Sequence, residues 1–110
     1  TIGLIREILD EVRREREKQI EQGWTLVHDD EHKRSEIALA GATYAIAAVP
    51  NLPDFALLYA TLWPWDKEFW KPRGARRNLI RATALLVAEI ERIDRIDRAK
   101  MDTPIEEVLP

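Results

Sequence analysis

The sequence is informative first in what it lacks, because cysteine is absent and glycine is scarce. With no cysteine in 110 residues, neither a disulfide framework nor a thiolate metal site is available, which fits a reducing compartment such as the cytoplasm. Only four glycines are present, and hydrophobic residues make up 45% and charged residues 34% of the chain. This profile is typical of a helical globular protein and excludes a disordered one.

Long hydrophobic runs and an excess of basic residues are also missing. No apolar run approaches the roughly 20 residues that a membrane span needs. Near the N-terminus Arg6, Glu7 and Asp10 interrupt the apolar residues, so a secretory signal is not expected there. The formal net charge is -3, whereas proteins with a general nucleic-acid-binding surface usually carry a clear basic excess. We therefore expect a cytoplasmic protein with no membrane association and no general nucleic-acid binding.

The length of the chain limits the number of domains that it can form. A chain of 110 residues is long enough for a single hydrophobic core and too short for two. Residues 1–100 are predicted to form one helical domain, and residues 101–110, which include Pro104, are predicted to be a C-terminal tail.

Apolar spacing predicts a first helix between Thr1, as its cap, and Gly23, as its stop. Residues at three- and four-residue spacing would face the core, namely Ile5, Ile8, Leu9, Val12 and Ile20. The charged middle of this helix, RREREKQ, is interpreted as a solvated turn with local ion pairs.

The second predicted helix begins at Asp29 or Asp30 and runs to about Val49, where Pro50 prevents continuation. From Ile37 onward almost every residue is apolar, so apolar residues surround this helix on all sides. Such a helix is buried on most sides. In a domain this small a second copy of the chain would cover one face, so we expect a homo-oligomer, a dimer or higher.

The remaining chain is predicted to hold a short helix, a loop and a third long helix. Asp54 would cap the short helix, which ends at Leu62 before Pro64, and the loop from Trp63 to Arg76 would contain one helical turn. The last helix runs from about Ala75 to Ala99. Its predicted core-facing positions are Leu79, Thr83, Leu86, Ile90 and Ile93. The expected fold is an all-α helical bundle of three long helices plus one short helix and a tryptophan-rich loop.

Histidine and carboxylate side chains are concentrated at the start of the second predicted helix. Asp29, His32 and Glu36 follow one another at helical spacing and could share a cation, for which Mg²⁺ or Mn²⁺ is suited. On the last helix Glu91 and Asp94 lie one turn apart and could hold the same ion. Helix capping explains the first group equally well, and a solvated charged face explains the second.

The tryptophan-rich tract WPWDKEFWKPRGARR combines aromatic rings with cations. An indole can stack on a nucleobase, and arginines bind phosphates in a bidentate manner. The alternative is that the tryptophans anchor an irregular loop in the core. The candidate ligand-binding residues are Trp63, Trp65, Trp70, Lys71, Arg73, Arg76, Arg77 and Arg81.

The succession EREKQIEQGWTLVHDDEH, EIALAGATYA, WPWDKEFWKP and RRNLIRATALLVAEIERIDR resembles a group of small phage and prophage proteins. These are distantly similar to the all-α nucleotide pyrophosphohydrolases, the MazG-like superfamily. The resemblance covers roughly residues 15–95. It implies an oligomeric helical bundle in the cytoplasm of a bacterial host that handles nucleotides, with Mg²⁺ held by carboxylates of two helices in active members.

The chain departs from the hydrolase pattern in its acidic residues. Glu91 and Asp94 match the second acidic pair of those enzymes, but Asp29, His32 and a lone Glu36 stand in place of the first. A histidine in place of a carboxylate removes charge that would bind the metal and activate water. We therefore expect binding of a nucleotide, or sequestration of a nucleotide-derived defence signal, without turnover.

Two alternatives stay open. The first is a metal-dependent pyrophosphohydrolase in which Glu36, Glu91 and Asp94 hold the ion and His32 or Asp29 positions the attacking water. The second is an inhibitor of a host protein that acts through an exposed surface.

Overall fold

The computed structural model describes residues 1–22 and 35–101, and this part of the chain contains helices and no strand. Within these residues the α-helices are α1 (Ile2–Glu21), α2 (Glu36–Ala47), α3 (Phe55–Leu62) and α4 (Ala75–Met101), and a 3₁₀ turn covers Lys67–Phe69. The predicted all-α fold is confirmed. None of the described helices has the length and apolar character needed to cross a bilayer.

Helix α4 is the central element, because both α1 and α2 pack along it, while α3 packs against α2. In α1, Glu11 binds Arg76 and Arg16 binds Glu91, so α1 and α4 run in the same direction. In α2, Gly41 lies beside Leu86 whereas the later Tyr44 lies beside Arg81, so α2 runs antiparallel to α4.

The apolar core lies between α2 and α4. Its buried members are Ile37, Ala40, Tyr44, Ala82, Leu85 and Ala88, and Trp63, Trp65 and Trp70 pack against them. At Gly41 an added Cβ would lie 3.3 Å from the Ala82 carbonyl oxygen and 3.2 Å from Leu86 Cδ2. The absence of a side chain at this position therefore lets the two helix backbones approach closely.

The prediction for α1 is wrong in which of its residues are buried. Of the expected core positions only Val12 is buried, whereas Ile5, Ile8 and Leu9 are exposed. The charged middle, expected to be solvated, instead contributes Glu15 and Arg16 to the buried set. The reason is tertiary: α4 begins at Ala75, and the part of α1 that lies beside it faces arginines.

The prediction for α4 is also wrong about its buried face. Thr83 and the four large apolar residues expected in the core are exposed. The stripe that is buried contains Ile80, Ala82, Ala84, Leu85 and Ala88. Small residues allow neighbouring helices to approach, and α2 and α1 occupy the alanine-rich sides.

Helix α2 is buried along one face and partly covered on the others. Ile37, Ala40 and Tyr44 are buried, and Leu39 is the one exposed residue of this helix. The helix ends at Ala47, slightly before the predicted end. The predicted start at Asp29 or Asp30 and the predicted stop of the first helix at Gly23 lie outside the described residues. So does the predicted tail 101–110, except for Met101, which is the last residue of α4. Homo-oligomerisation stays a prediction.

Candidate ligand-binding cleft

An aromatic cluster holds the tryptophan-rich loop onto α2 and α3. The ring of Trp70 lies 4.5 Å from the ring of Tyr44 and 4.9 Å from that of Trp63, measured between centroids. Trp63 stacks on Tyr59 of α3 at 6.1 Å, and Trp65 meets Trp63 edge to face at 5.5 Å. Such contacts contribute roughly 0.5–1.5 kcal/mol each beyond the area that they bury.

Hydrogen bonds fix the course of the loop between these rings and α4. The Lys71 backbone N–H donates to the Tyr44 hydroxyl at 3.0 Å. The buried amide of Asn78 accepts from the Arg73 N–H at 2.7 Å and donates to the Arg73 carbonyl at 2.8 Å. Since both backbone groups of Arg73 are bonded to one rigid side chain, the position of Arg73 is defined although the loop lacks regular structure.

A cleft of about 490 Å³ lies between α1, α4 and this loop. Its aromatic wall contains Trp63, Trp65 and Tyr44, and Lys18, Gln19 and Gln22 of α1 also line it. The other lining residues are Glu15, Glu68, Phe69, Lys71, Arg73, Arg81 and Leu85. Clefts of roughly 300–1,000 Å³ are typical of small-molecule sites.

The lining of the cleft carries more positive than negative charge. It includes the cations Lys18, Lys71, Arg73 and Arg81 and the acids Glu15 and Glu68. The guanidinium of Arg81 donates to the Lys71 carbonyl oxygen and lies 3.8 Å from Glu15 and 5.9 Å from the centre of the Tyr44 ring. These contacts hold Arg81 at the edge of the aromatic wall, so the cleft can offer an anion a fixed guanidinium.

The side-chain oxygen of Gln19, a residue of the cleft lining, is buried without a hydrogen bond in the described part of the chain. Gln19 is only 9% exposed, and within residues 1–22 and 35–101 its Oε1 has no hydrogen-bond partner. A buried acceptor left unsatisfied costs about 1–3 kcal/mol. Because Gln19 lines the cleft, a rotation of its side chain would present this oxygen to an N–H group of a ligand.

Two of the predicted phosphate-binding arginines lie elsewhere. Arg76 donates to both carboxylate oxygens of Glu11 at 2.9 and 2.7 Å, and Arg77 donates to Glu15. The hydrogen bonds from Arg76 lower the pKa of Glu11 below its usual value, and the same contact raises the pKa of Arg76. These arginines at the start of α4 therefore anchor α1 to α4.

The predicted ligand-binding tryptophans are only partly brought into the cleft. Trp63 and Trp65 line it, whereas Trp70 contributes to a second cavity of about 350 Å³ with Val49, Leu52 and Phe55. Of the cationic candidates, Lys71, Arg73 and Arg81 line the cleft, and Arg76 and Arg77 do not.

The acidic candidates for a metal site either pair with arginines or lie on different helices. Glu91 accepts from Arg16 Nε at 3.3 Å and lies 3.7 Å from Arg95, while Asp94 is exposed on α4 and Glu36 opens α2. Among the residues that the structure describes, no three acidic or histidine side chains are grouped so that they could hold a metal ion.

The described acids by themselves therefore do not fit a metal centre. The proposed catalytic residues Asp29 and His32 lie outside the described residues, so their roles and the metal set stay predictions.

Sequence reasoning missed the contributions of Lys18, Gln19 and Tyr44 to this cleft. The signal for the α1 residues was present, because Glu15, Lys18, Gln19 and Gln22 recur at three- and four-residue spacing and so share one helix face. Tyr44 is the one ring in the alanine-rich α2, and a hydroxyl in such a helix requires a partner.

Comparison with known proteins gives no match: no family model, no curated protein and no solved structure matches the chain.

Proposed function

We propose that this protein binds a nucleotide or a nucleotide-derived small molecule in the cleft between α1, α4 and the tryptophan-rich loop. The observation that carries the proposal is the placing of two partly exposed indoles beside four cations in one cleft. Aromatic surfaces bind the flat base, and cations bind the phosphate, so both halves of a nucleotide have a complementary wall. The volume is also of the size that such a ligand needs.

The base would stack against Trp63 or Trp65, which contributes about 1–3 kcal/mol per stacked base. The phosphates would then lie toward Lys71, Arg73 and Arg81, which line the same cleft. The Arg81 guanidinium is already oriented by the Lys71 carbonyl and Glu15. Such preorganisation lowers the entropic cost of ligand binding.

The buried Gln19 Oε1 supports a ligand with an N–H donor. Nucleobases that carry an exocyclic amine or a ring N–H offer this group, whereas an inorganic phosphate does not. We therefore expect a nucleotide to bind more tightly than phosphate or pyrophosphate alone, because only the nucleotide has a base that can stack on an indole of the cleft and an N–H group for Gln19.

Binding without turnover is favoured over hydrolysis by the surroundings of the acidic residues. Glu91, which resembles a metal ligand of the pyrophosphohydrolases, is bonded to Arg16 and close to Arg95, and these arginines compensate its charge. The family resemblance nevertheless supports a phage-type protein that sequesters a nucleotide or a defence signal derived from one, with pyrophosphate hydrolysis and inhibition of a host protein as the alternatives.

Thermal-shift measurements with mono-, tri- and cyclic nucleotides, without added metal, test the proposal. A ligand at 100 times its dissociation constant stabilises the fold by about 2.7 kcal/mol, which raises the Tm of a domain of this size by several degrees. Trp65→Ala and Arg73→Ala should abolish the shift. The matched control Leu57→Ala, at an exposed position on α3, should retain it.

A pyrophosphate-release assay with Mg²⁺ or Mn²⁺ separates binding from turnover. The proposal expects no release above background. Release that is lost in Glu91→Gln would instead favour the hydrolase. If none of the nucleotides shifts the Tm, with or without metal, the nucleotide proposal is wrong.

A further inference from the structure

Helix α4 carries a stripe of large apolar side chains that the described fold leaves exposed. Leu79, Leu86, Ile90 and Ile93 are 49%, 43%, 58% and 44% exposed, respectively, and Thr83 lies between them. Their positions follow one another at steps of four and three residues. The stripe therefore forms one straight seam, about 21 Å long at 1.5 Å per residue.

This seam is a third side of α4, distinct from the sides that α1 and α2 cover. The core with α2 uses Ala82, Leu85 and Ala88, and a second buried cluster with α1 uses Ile80 and Ala84. Leu86 lies at the boundary, where its Cδ2 approaches the position of a Cβ on Gly41. Contiguous exposed apolar surface of this kind marks an interaction site.

We propose that the seam is the contact surface between two copies of this chain, with α4 of one copy packed antiparallel against α4 of its partner. Alternating steps of three and four residues are the spacing at which two helices interlock along their length. A seam with this spacing is complementary to an identical seam. A two-fold axis at Leu86 places Leu79 of each copy opposite Ile93 of the other.

Charge at the two ends of the seam favours the antiparallel direction. Arg76 flanks the N-terminal end and keeps 67% of its side chain exposed beside Glu11, while Asp94 and Asp97 flank the C-terminal end and are exposed. Antiparallel packing about Leu86 brings Arg76 of one copy toward Asp94 and Asp97 of the other. Parallel packing would place like charges together, which is unfavourable.

The absence of cysteine allows a direct test with single-cysteine variants. Disulfides form only where two Cα atoms lie within about 7 Å. Under mild oxidation Leu86→Cys should crosslink with itself. Leu79→Cys and Ile93→Cys should crosslink when mixed and refolded together, and much less when each is alone. Leu57→Cys on the exposed side of α3 is the matched control and should stay uncrosslinked.

Mass measurement by light scattering provides an independent test. The wild-type chain should have twice the mass of one copy, and Ile90→Glu should raise the dimer dissociation constant at least about tenfold, because the symmetry buries the added charge twice. Ile5→Glu, at an exposed apolar position on α1, should leave the dimer intact. Circular dichroism checks that both variants keep their helix content.

Three results would overturn the proposal. If Leu79→Cys and Ile93→Cys each crosslink with themselves, and the mixture gives no crosslink between the two variants, the packing is parallel. If Ile5→Glu weakens the dimer as much as Ile90→Glu does, then α1 takes part in the contact between the two copies. A wild-type monomer whose Tm falls with Ile90→Glu would mean that another part of the same chain covers the seam.

Discussion

Helix α4 forms two interfaces of opposite character. Toward α2 it presents alanines and Leu85, and the contact is apolar and close, with Gly41 at its tightest point. Toward α1 it presents arginines and Glu91, and the contact is made largely by ion pairs around Val12 and Ile80. One helix therefore holds one neighbour by apolar burial and the other by charge.

The two interfaces contribute differently to the stability of the fold and to the placing of its helices. Apolar burial is non-directional and scales with area, so the α2 contact should supply most of the stability. Ion pairs contribute little net free energy, but each links one residue to one partner. The pairs from Glu11 to Arg76 and from Glu15 to Arg77 therefore fix the register of α1 along α4, which in turn places Lys18 and Gln19 in the cleft.

The largest effect should come from breaking the apolar interface. Ile37→Ala truncates a side chain that is 1% exposed. It should lower the free energy of unfolding by about 3 kcal/mol, because buried apolar surface is lost and a cavity is left in its place. Chemical denaturation measures the change. Leu39→Ala on the same helix, where the residue is 36% exposed, should cost far less, and equal losses would contradict the comparison.

A smaller loss should follow from breaking the polar interface. Arg16→Met removes a buried guanidinium whose partner Glu91 is 35% exposed, so we expect about 2 kcal/mol, below the 3–5 kcal/mol of a fully buried pair. The double variant Arg16→Met with Glu91→Gln should recover part of the loss. Strictly additive losses in denaturation would argue against coupling of the two residues.

Gly41→Ala tests how close the apolar contact is. Within a helix, alanine usually stabilises the folded state by up to about 1 kcal/mol relative to glycine. Here, however, its Cβ would lie 3.3 Å from the Ala82 carbonyl oxygen. We expect this close contact to cancel the stabilisation, so that the Tm falls slightly. Gly3→Ala in α1, where an added Cβ meets no atom within 4 Å, is the control and should raise the Tm slightly.

The smallest effect should come from the exposed pair at the edge of the polar interface. The pKa of Glu11 is held below its ordinary value of 4.5 by hydrogen bonds from Arg76. The stabilisation is thus present above that ordinary pKa and is lost as the pH falls through the lowered one. Arg76→Gln should lower the Tm slightly at pH 7, and the difference should vanish on acidification. A difference that persists in acid would exclude this pair as its source.

Local signals in the sequence predicted the helices but not their buried faces. Pro50 and Pro64 each lie a few residues beyond the end of a helix, since proline cannot continue one. On α4 two stripes compete, one of leucine and isoleucine and one rich in alanine. Hydrophobicity alone favours the first, and only the fit with α2 at Gly41 selects the second.

The candidate cleft was predictable in its loop and not in its helices. The tract from Trp63 to Arg73 is contiguous, so its rings and cations had to lie near one another whatever the fold. Arg76 and Arg77 belong to the same run of cations, yet they bind Glu11 and Glu15. Nothing local separates them from Arg73, because the separation depends on where α1 lies.

The sequence by itself determined that the described part of the chain is helical, that proline follows the ends of two of its helices, and that aromatic and cationic residues share one loop. These properties follow from local backbone preferences and from spacing along the chain. The tertiary structure alone decided which acids neutralise which arginines, which apolar stripe is buried and which polar residues of α1 meet the loop. The ion pairs among these contacts join residues more than 60 positions apart, and local sequence carries no record of such contacts.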